Sequence, residues 1–426
     1  MTKVASPTPR HPFVLPKEVS LSRITLIREI YRALINTGRS YAAFTQKERE
    51  LVDRLKAKKE ILDPMSGYGL LMRYCSTAGV RSFGVEYNLP QYLWQVLCHP
   101  ANATSFLQAI KIIRSRRARW PRSSIRGVVS DEFFPEESSR ILARLYQLAK
   151  SAVEKHFDPV NNLTQLTLSL VLPFAGRLSC SVPGDISTHT KVGGMCVYLG
   201  WENDYDSYLQ AVRQRLEHIA ETAVCTKHKV AHGDARIYKF PKHRFRAMIT
   251  SPPYPNHRDF TSMFAPEHTL LNEWGMNGHE ASSQFTDHVI GSNFVSNRAK
   301  RLPQSQSATR FLHNIAQLER NKTAAYDDEV YYIPYFENYF LDLEEAYKNV
   351  SAACAESDFE GYVVIVNNTH RNLIIPVSDA VLEIWASLGF KTEIFAANEL
   401  FHIGTKNPRA RGLRAKHMEY VIKIWR

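Results

Sequence analysis

The chain has 426 residues, a formal net charge of +12, and is 44% hydrophobic and 23% charged. This is enough for one large core and a second unit, and the composition is that of an ordinary soluble globular protein. No apolar run approaches the roughly 18 residues that a membrane-spanning helix requires, which argues against a membrane protein.

Residues 1–16 are polar and proline-rich, without a signal-like apolar centre, so a disordered arm and a cytoplasmic protein are expected. Residues 17–91 read as N-terminal helices followed by the first part of a core. Helices are predicted over Leu21 to Leu34 and Thr45 to Lys58, the second opened by the capping-box pattern Thr45-Gln46-Lys47-Glu48. Two strands follow, at 60–63 and 80–86. About 140 residues then separate the second strand from the third, where a simple βαβ unit needs one helix.

Most of that excursion, 92–200, reads as an inserted domain. It holds a helix over 137–155, an apolar stretch with β-branched residues from Leu163 to Val171, a loop-like stretch from Ser179 to Gly194 and a strand near Cys196. Core elements resume over 201–254: a helix from Tyr205 to Thr222, a strand at Val230 to Asp234 and another over 245–250. A polar insertion, 255–335, rich in Asn, Ser, Gln and His, is expected to line a substrate cleft. The last segment, 336–426, carries a helix from Asn338 to Cys354, a strongly apolar strand Gly361 to Val366, a helix Val377 to Leu388, and strands at Phe390 to Phe395 and Glu419 to Trp425. Alternating helices and buried apolar strands predict an α/β fold: a Rossmann-like, doubly wound sheet with a large insertion.

Two stretches carry chemistry. The first strand runs into Asp63-Pro64-Met65-Ser66-Gly67-Tyr68-Gly69, a glycine turn that lets backbone approach a ligand, and then into an amphipathic helix. The second strand ends at Glu86, roughly 20 residues on, where a nucleotide-binding sheet holds ribose hydroxyls. Position 72 is methionine where a dinucleotide site would have a third glycine, so a nucleoside without phosphate fits better. The second stretch, Thr250-Ser251-Pro252-Pro253-Tyr254, follows a strand. Its prolines fix their own φ and extend the residues before them. Such a turn can offer the Ser251 hydroxyl and the Pro252 carbonyl as two acceptors for a planar amine, with a ring beside them.

Together these motifs resemble the S-adenosylmethionine-dependent amino-methyltransferases of DNA. The Ser-Pro-Pro-Tyr form resembles the N4-cytosine branch, since N6-adenine enzymes usually carry Asp or Asn in place of Ser251. The likeness covers about 55–95, 200–275 and 335–426, and Asn256 to Thr261 resembles a further continuation. It implies S-adenosylmethionine held by Asp63, Pro64, Ser66, Gly67, Gly69, Glu86 and Asp234, with Asp234 on the adenine amino group. It implies a methyltransferase sheet closed by an antiparallel hairpin, and catalysis by Ser251, Pro252, Pro253 and Tyr254 on a flipped-out cytosine. The 92–200 insertion would then select the DNA sequence. Tyr41 and Phe44 read as core residues, with packing on the adenine as the alternative.

The resemblance implies double-stranded DNA as partner, and a restriction–modification or phage-defence setting with a cognate endonuclease. The positive charge suits that partner. Residues 111–126 hold seven cations and no acid, and 406–416 hold five. Arg114, Arg116, Arg117, Arg119, Arg122, Arg258, Arg409 and Arg411 are the candidate phosphate contacts, with a solvated basic helix face as the bland reading of 111–126. The six cysteines, Cys75, Cys98, Cys180, Cys196, Cys225 and Cys354, suggest neither a zinc site nor a disulfide framework. No Pro-Cys dipeptide occurs, which argues against C5 methylation of cytosine. N6-adenine methylation, an RNA substrate and a catalytically silent DNA-binding subunit stay open as alternatives.

Overall fold

A computed structural model describes residues 50–117, 120, 125–129, 134, 136–178, 195–198, 201–255, 264–275, 289–291, 301–318, 331–371, 373–400 and 417–426. The N-terminal arm, the helix over 21–34, Tyr41, Phe44, the stretch 179–194, the continuation 256–261 and much of 255–335 lie outside these residues, as do Arg119, Arg122, Arg258, Arg409 and Arg411.

A seven-stranded sheet organises the molecule. Its strands are β1 (Glu60–Asp63), β2 (Arg81–Glu86), β5 (Lys229–His232), β6 (Ala247–Thr250), β7 (Glu360–Asn367), β10 (Lys391–Leu400) and β11 (His417–Trp425), in the order β10-β11-β7-β6-β1-β2-β5. Neighbours from β5 to β7 are parallel, and β11 alone runs against the rest, between β7 and β10. Short pairs β3 (Ile125–Val129) with β4 (Met195–Tyr198), and β8 (Thr369–His370) with β9 (Leu373–Ile374), lie apart. This is a Rossmann-like α/β sheet, and the expected antiparallel hairpin at its end is present.

The strands are apolar on both faces because both are covered. Ile61, Ala247, Ile249, Tyr362, Val364 and Val421 pack toward residues of helical segment 50–55 and α1 (Leu70–Ala78). Their neighbours Leu62, Met248, Val363, Ile365 and Ile422 pack toward α8 (Gln306–Ala316), α9 (Ile333–Ser351) and α10 (Val377–Ser387). Alternation along each strand thus splits the side chains between two cores.

A third core is helical. It joins α2 (Leu89–Leu97), α3 (Ala103–Ser115), α4 (Glu136–Val153), α5 (Leu163–Leu178), α6 (Trp201–Thr222) and Leu270 and Leu271 of α7 (Ala265–Glu273). No break in packing falls near residue 200: Tyr205, Tyr208 and Leu209 share this core with Phe106, Phe174 and Leu178. The apolar stretch 163–171 is helical. Leu168, Leu170, Val171, Leu172 and Phe174 are all buried, so α5 is enclosed on most sides and shows no polar stripe.

Candidate functional site

The carboxyl ends of β1, β2 and β6 meet where strand order reverses about β1, the position at which open α/β sheets bind ligands. Beyond β1, Gly67 and Gly69 take φ of +52° and +69°, left-handed values that glycine adopts without steric cost. The Ser66 N–H and hydroxyl both donate to the Val85 carbonyl, at 3.0 and 3.1 Å, fastening the turn to β2. Pro64 is buried at its start.

Gln95 of α2 holds the turn from the other side. Its Nε2 donates to the Gly67 carbonyl at 2.7 Å and to Ser66 Oγ at 2.8 Å. A Cβ on Gly69 would lie 2.7 Å from Gln95 Cγ. Gly69→Ala should therefore cost about 2 kcal/mol, from left-handed strain plus the displaced glutamine. Urea denaturation checks this, and adding Gln95→Ala should relieve the steric part but leave the strain.

Two buried carboxyl groups face the turn. Glu86 Oε2 accepts from the Gly67 N–H at 2.6 Å, and Oε1 from the Asn88 N–H at 2.8 Å. Asp63 Oδ1 accepts from the Met65 N–H at 3.3 Å and the Thr250 hydroxyl at 2.9 Å. Burial pushes the Asp63 carboxyl up to about 7 against the pull of Thr250 and Met65, and the Glu86 carboxyl up to about 8 against backbone hydrogen bonds from Asn88, Gly67 and Tyr87. A cationic ligand beside them would favour their ionised forms. The space over Gly67 is open: a Cβ added there would lie 4.0 Å from its nearest neighbour, Gln91 Nε2.

Asp234 sits past the end of β5, inside a buried ion cluster. Its carboxylate accepts from the Arg236 main-chain N–H at 2.9 Å, from Nε at 3.0 Å to each oxygen and from Nη2 at 2.6 Å. Arg236 Nη1 reaches Asp342 of α9 at 2.6 Å. Burial opposes the arginine's charge, but Asp234 and Asp342 outweigh it and hold its pKa above the usual value. Three N–H groups, one of them shared between both oxygens, take up most of this carboxylate's acceptor sites and leave less for an adenine amino group.

The Ser-Pro-Pro-Tyr turn leaves β6 directly beside β1. The Thr250–Asp63 hydrogen bond joins the two motifs. Ser251 Oγ lies 2.8 Å from the Tyr254 hydroxyl, which is itself 3.5 Å from the Val364 carbonyl. The Tyr339 hydroxyl donates to the Pro253 carbonyl at 3.0 Å, and Asn368 Nδ2 to the Pro255 carbonyl at 2.8 Å. α9 and the end of β7 thus hold the turn in shape. Pro252 is buried, while Ser251 and Tyr254 are half-buried.

The described candidate phosphate contacts are engaged within the protein. Arg114 Nε donates to Asp206 of α6 at 2.7 Å, Arg117 Nη1 to the same carboxylate at 3.3 Å, Arg117 Nη2 to Asn203 Oδ1, and Arg116 to the Ser151 hydroxyl of α4 at 2.7 Å. They tie α3 to its neighbours. Arg117 and Arg114 stay partly exposed, at 46% and 29% of the side chain.

No family model matches this chain, and neither does any curated protein. Among the described residues no cluster of three or more His, Cys, Asp or Glu could hold a metal ion, and no helix is long and apolar enough to cross a membrane.

Sequence reasoning misses Gln95, Arg236, Tyr339 and Asn368. Gln95 does leave a signal, a lone amide inside the apolar run Tyr92-Leu93-Trp94-Gln95-Val96-Leu97. A buried amide needs partners, so such a residue points at a backbone it holds. Tyr339 and Asn368 leave none, because each reaches its partner across about 85 residues or more of chain.

Proposed function

We propose that this chain transfers a methyl group from S-adenosylmethionine to the N4 amino group of a flipped-out cytosine in DNA. The observation that carries it is the 2.9 Å hydrogen bond from Thr250 to Asp63, which joins the glycine turn and the Ser-Pro-Pro-Tyr turn at the sheet's switch point. The sheet order, with one reversed strand next to the edge, supports the same reading.

The buried carboxyls of Asp63 and Glu86 and the open glycine turn suit a cationic nucleoside. Asp63 would face the methionine end and Glu86 the ribose hydroxyls, since its backbone donors leave part of the carboxylate's acceptor capacity unused. The cofactor would supply an already activated methyl group, so the protein's task is in-line positioning and electrostatics. The cytosine amine is a poor nucleophile because its lone pair is delocalised into the ring. Ser251 Oγ and the Pro252 carbonyl would accept its N–H bonds and make the nitrogen more pyramidal. With Tyr254 donating toward Val364, Ser251 donates to Tyr254 and keeps its own lone pairs for the amine. Asp234, expected on the adenine amino group, would have to share its carboxylate with Arg236.

Tyr254 would stack on the extruded base. Tyr254→Ala should lower turnover by about 10- to 100-fold while cofactor affinity stays level, as the loss of one base–aromatic stack implies. Equal loss of both would move Tyr254 into the cofactor pocket. The reaction itself is tested by nucleoside mass spectrometry of DNA from cells expressing the native chain or Pro252→Ala. N4-methylcytosine with the native chain alone is the expected result. N6-methyladenine in its place would overturn the choice of base, and neither product would favour RNA or a silent DNA-binding subunit.

A further inference from the structure

We propose that the Asn88 side chain is a second ligand for the cofactor ribose, paired with Glu86; this rests on the nucleoside site argued above. Asn88 is the N-cap of α2, two residues beyond Glu86. Asparagine is favoured at such positions because its oxygen caps the N–H of the second or third helical residue. Here the side chain makes no capping bond, and the second helical residue is Pro90, which has no N–H. The usual reason for an asparagine is therefore unfulfilled.

The residue is nevertheless only 4% exposed, and neither Oδ1 nor Nδ2 has a hydrogen-bond partner among the described residues. Burying an unpaired polar group is costly, so a buried carboxamide with no described protein partner at either end points to a ligand that completes it. The location narrows the ligand. The Asn88 main chain donates to Glu86, and the other oxygen of Glu86 accepts from Gly67, so one hydrogen-bonded line joins Asn88 to the glycine turn.

Chemical complementarity supplies the rest. A ribose hydroxyl both donates and accepts, whereas an ionised carboxylate only accepts. Glu86 alone would leave the hydroxyl oxygens without a donor. Asn88 Nδ2 provides one, and Oδ1 adds a further acceptor. A vicinal diol matches the combined donors and acceptors of a carboxylate and a carboxamide two residues apart.

Asn88→Leu keeps the size of the side chain and removes both polar ends. Calorimetry with S-adenosylhomocysteine should show about tenfold weaker binding, the equivalent of one hydrogen bond. The ligand-free variant should melt at the native temperature or above, because an unpaired buried amide has gone. The penalty should shrink toward none with the 2′-deoxy and 3′-deoxy analogues of the same ligand. A lower melting temperature, with a penalty undiminished for the deoxy analogues, would make Asn88 a structural residue and overturn the assignment. So would native affinity in the variant. On the native chain, the Asn88 side-chain amide NMR signal should shift with S-adenosylhomocysteine and not with methionine alone; an unmoved signal overturns the assignment even if the variant fails to fold. No binding by the native chain would remove the nucleoside site itself, whereas native binding that ignores Asn88 would remove this inference alone.

Discussion

Arg236→Met should lower the unfolding free energy by about 3–5 kcal/mol at pH 7.5, the largest loss expected from any single substitution around the site. Arg236, Asp234 and Asp342 expose only 5%, 10% and 4% of their side chains. Removing the guanidinium takes from two carboxylates held out of water the cation that bridges them. Methionine fills the space but cannot solvate them. The turn they hold matters to the site, because it follows β5 and is also fixed by Asn349 of α9, whose Nδ2 donates to the Ala235 and Tyr238 carbonyls at 2.9 Å. Urea denaturation checks the magnitude. The loss should be smaller at pH 5, where the stranded carboxylates can take up protons, and smaller again in Arg236→Met/Asp234→Asn/Asp342→Asn, which buries no charge. A loss below about 1 kcal/mol at pH 7.5 would show that water screens the cluster as it does a surface pair.

That cluster marks the limit of what the sequence discloses. Asp234 lies at the end of a predicted strand, a position from which a carboxylate can reach a ligand. Its partner Arg236 is two residues away in plain view, but nothing local says that the guanidinium turns inward to meet Asp342 as well. The same applies to the basic run at 111–126. Its composition is legible, whereas the pairing of Arg114 and Arg117 with Asp206 depends on how α3 and α6 cross. Charges acquire partners through tertiary packing, and one sequence carries little trace of it.

The sheet is more legible because local rules suffice. Glu60–Asp63 matches its predicted bounds, and β2 and β7 match theirs to within one residue at either end. Strand β6 starts at Ala247, since Phe245 instead forms a bridge to Cys354. The stretch 92–200, read as an insertion from its length, packs with α6 in one apolar core. Helices that bury nearly every side look alike in sequence whether they belong to one unit or two.

Stability should fall as pH rises from about 4 to 8, and Asp63 and Glu86 are the cause. Their carboxyls stand at about 7 and about 8 in the folded chain, against 3.8 and 4.5 for the free groups. Below the free values both forms of the chain hold both protons. Between the free and folded values the folded chain binds protons that the unfolded chain has lost, so each further unit of pH costs about 1.4 kcal/mol per group. Above pH 8 the loss is complete. Asp63→Asn isolates one contribution cleanly. Its carbonyl oxygen can keep the bonds from Thr250 and Met65, which both reach Oδ1, and the amide takes the other oxygen's place. The variant should flatten the fall between pH 4 and 7 and be the more stable chain at pH 8. Glu86→Gln should flatten the upper part of the range but lose a backbone bond at every pH, because both oxygens of Glu86 accept. Binding a cationic nucleoside should oppose the same burial, releasing about one proton near pH 7, which calorimetry in buffers of different ionisation enthalpy would count. Proton release with S-adenosylmethionine, and less with its uncharged-sulfur product, would tie these carboxyls to the sulfonium side of the ligand. Equal release with both would assign the proton to the ribose or the methionine ammonium, and a flat stability profile in the native chain would mean that water reaches both carboxyls.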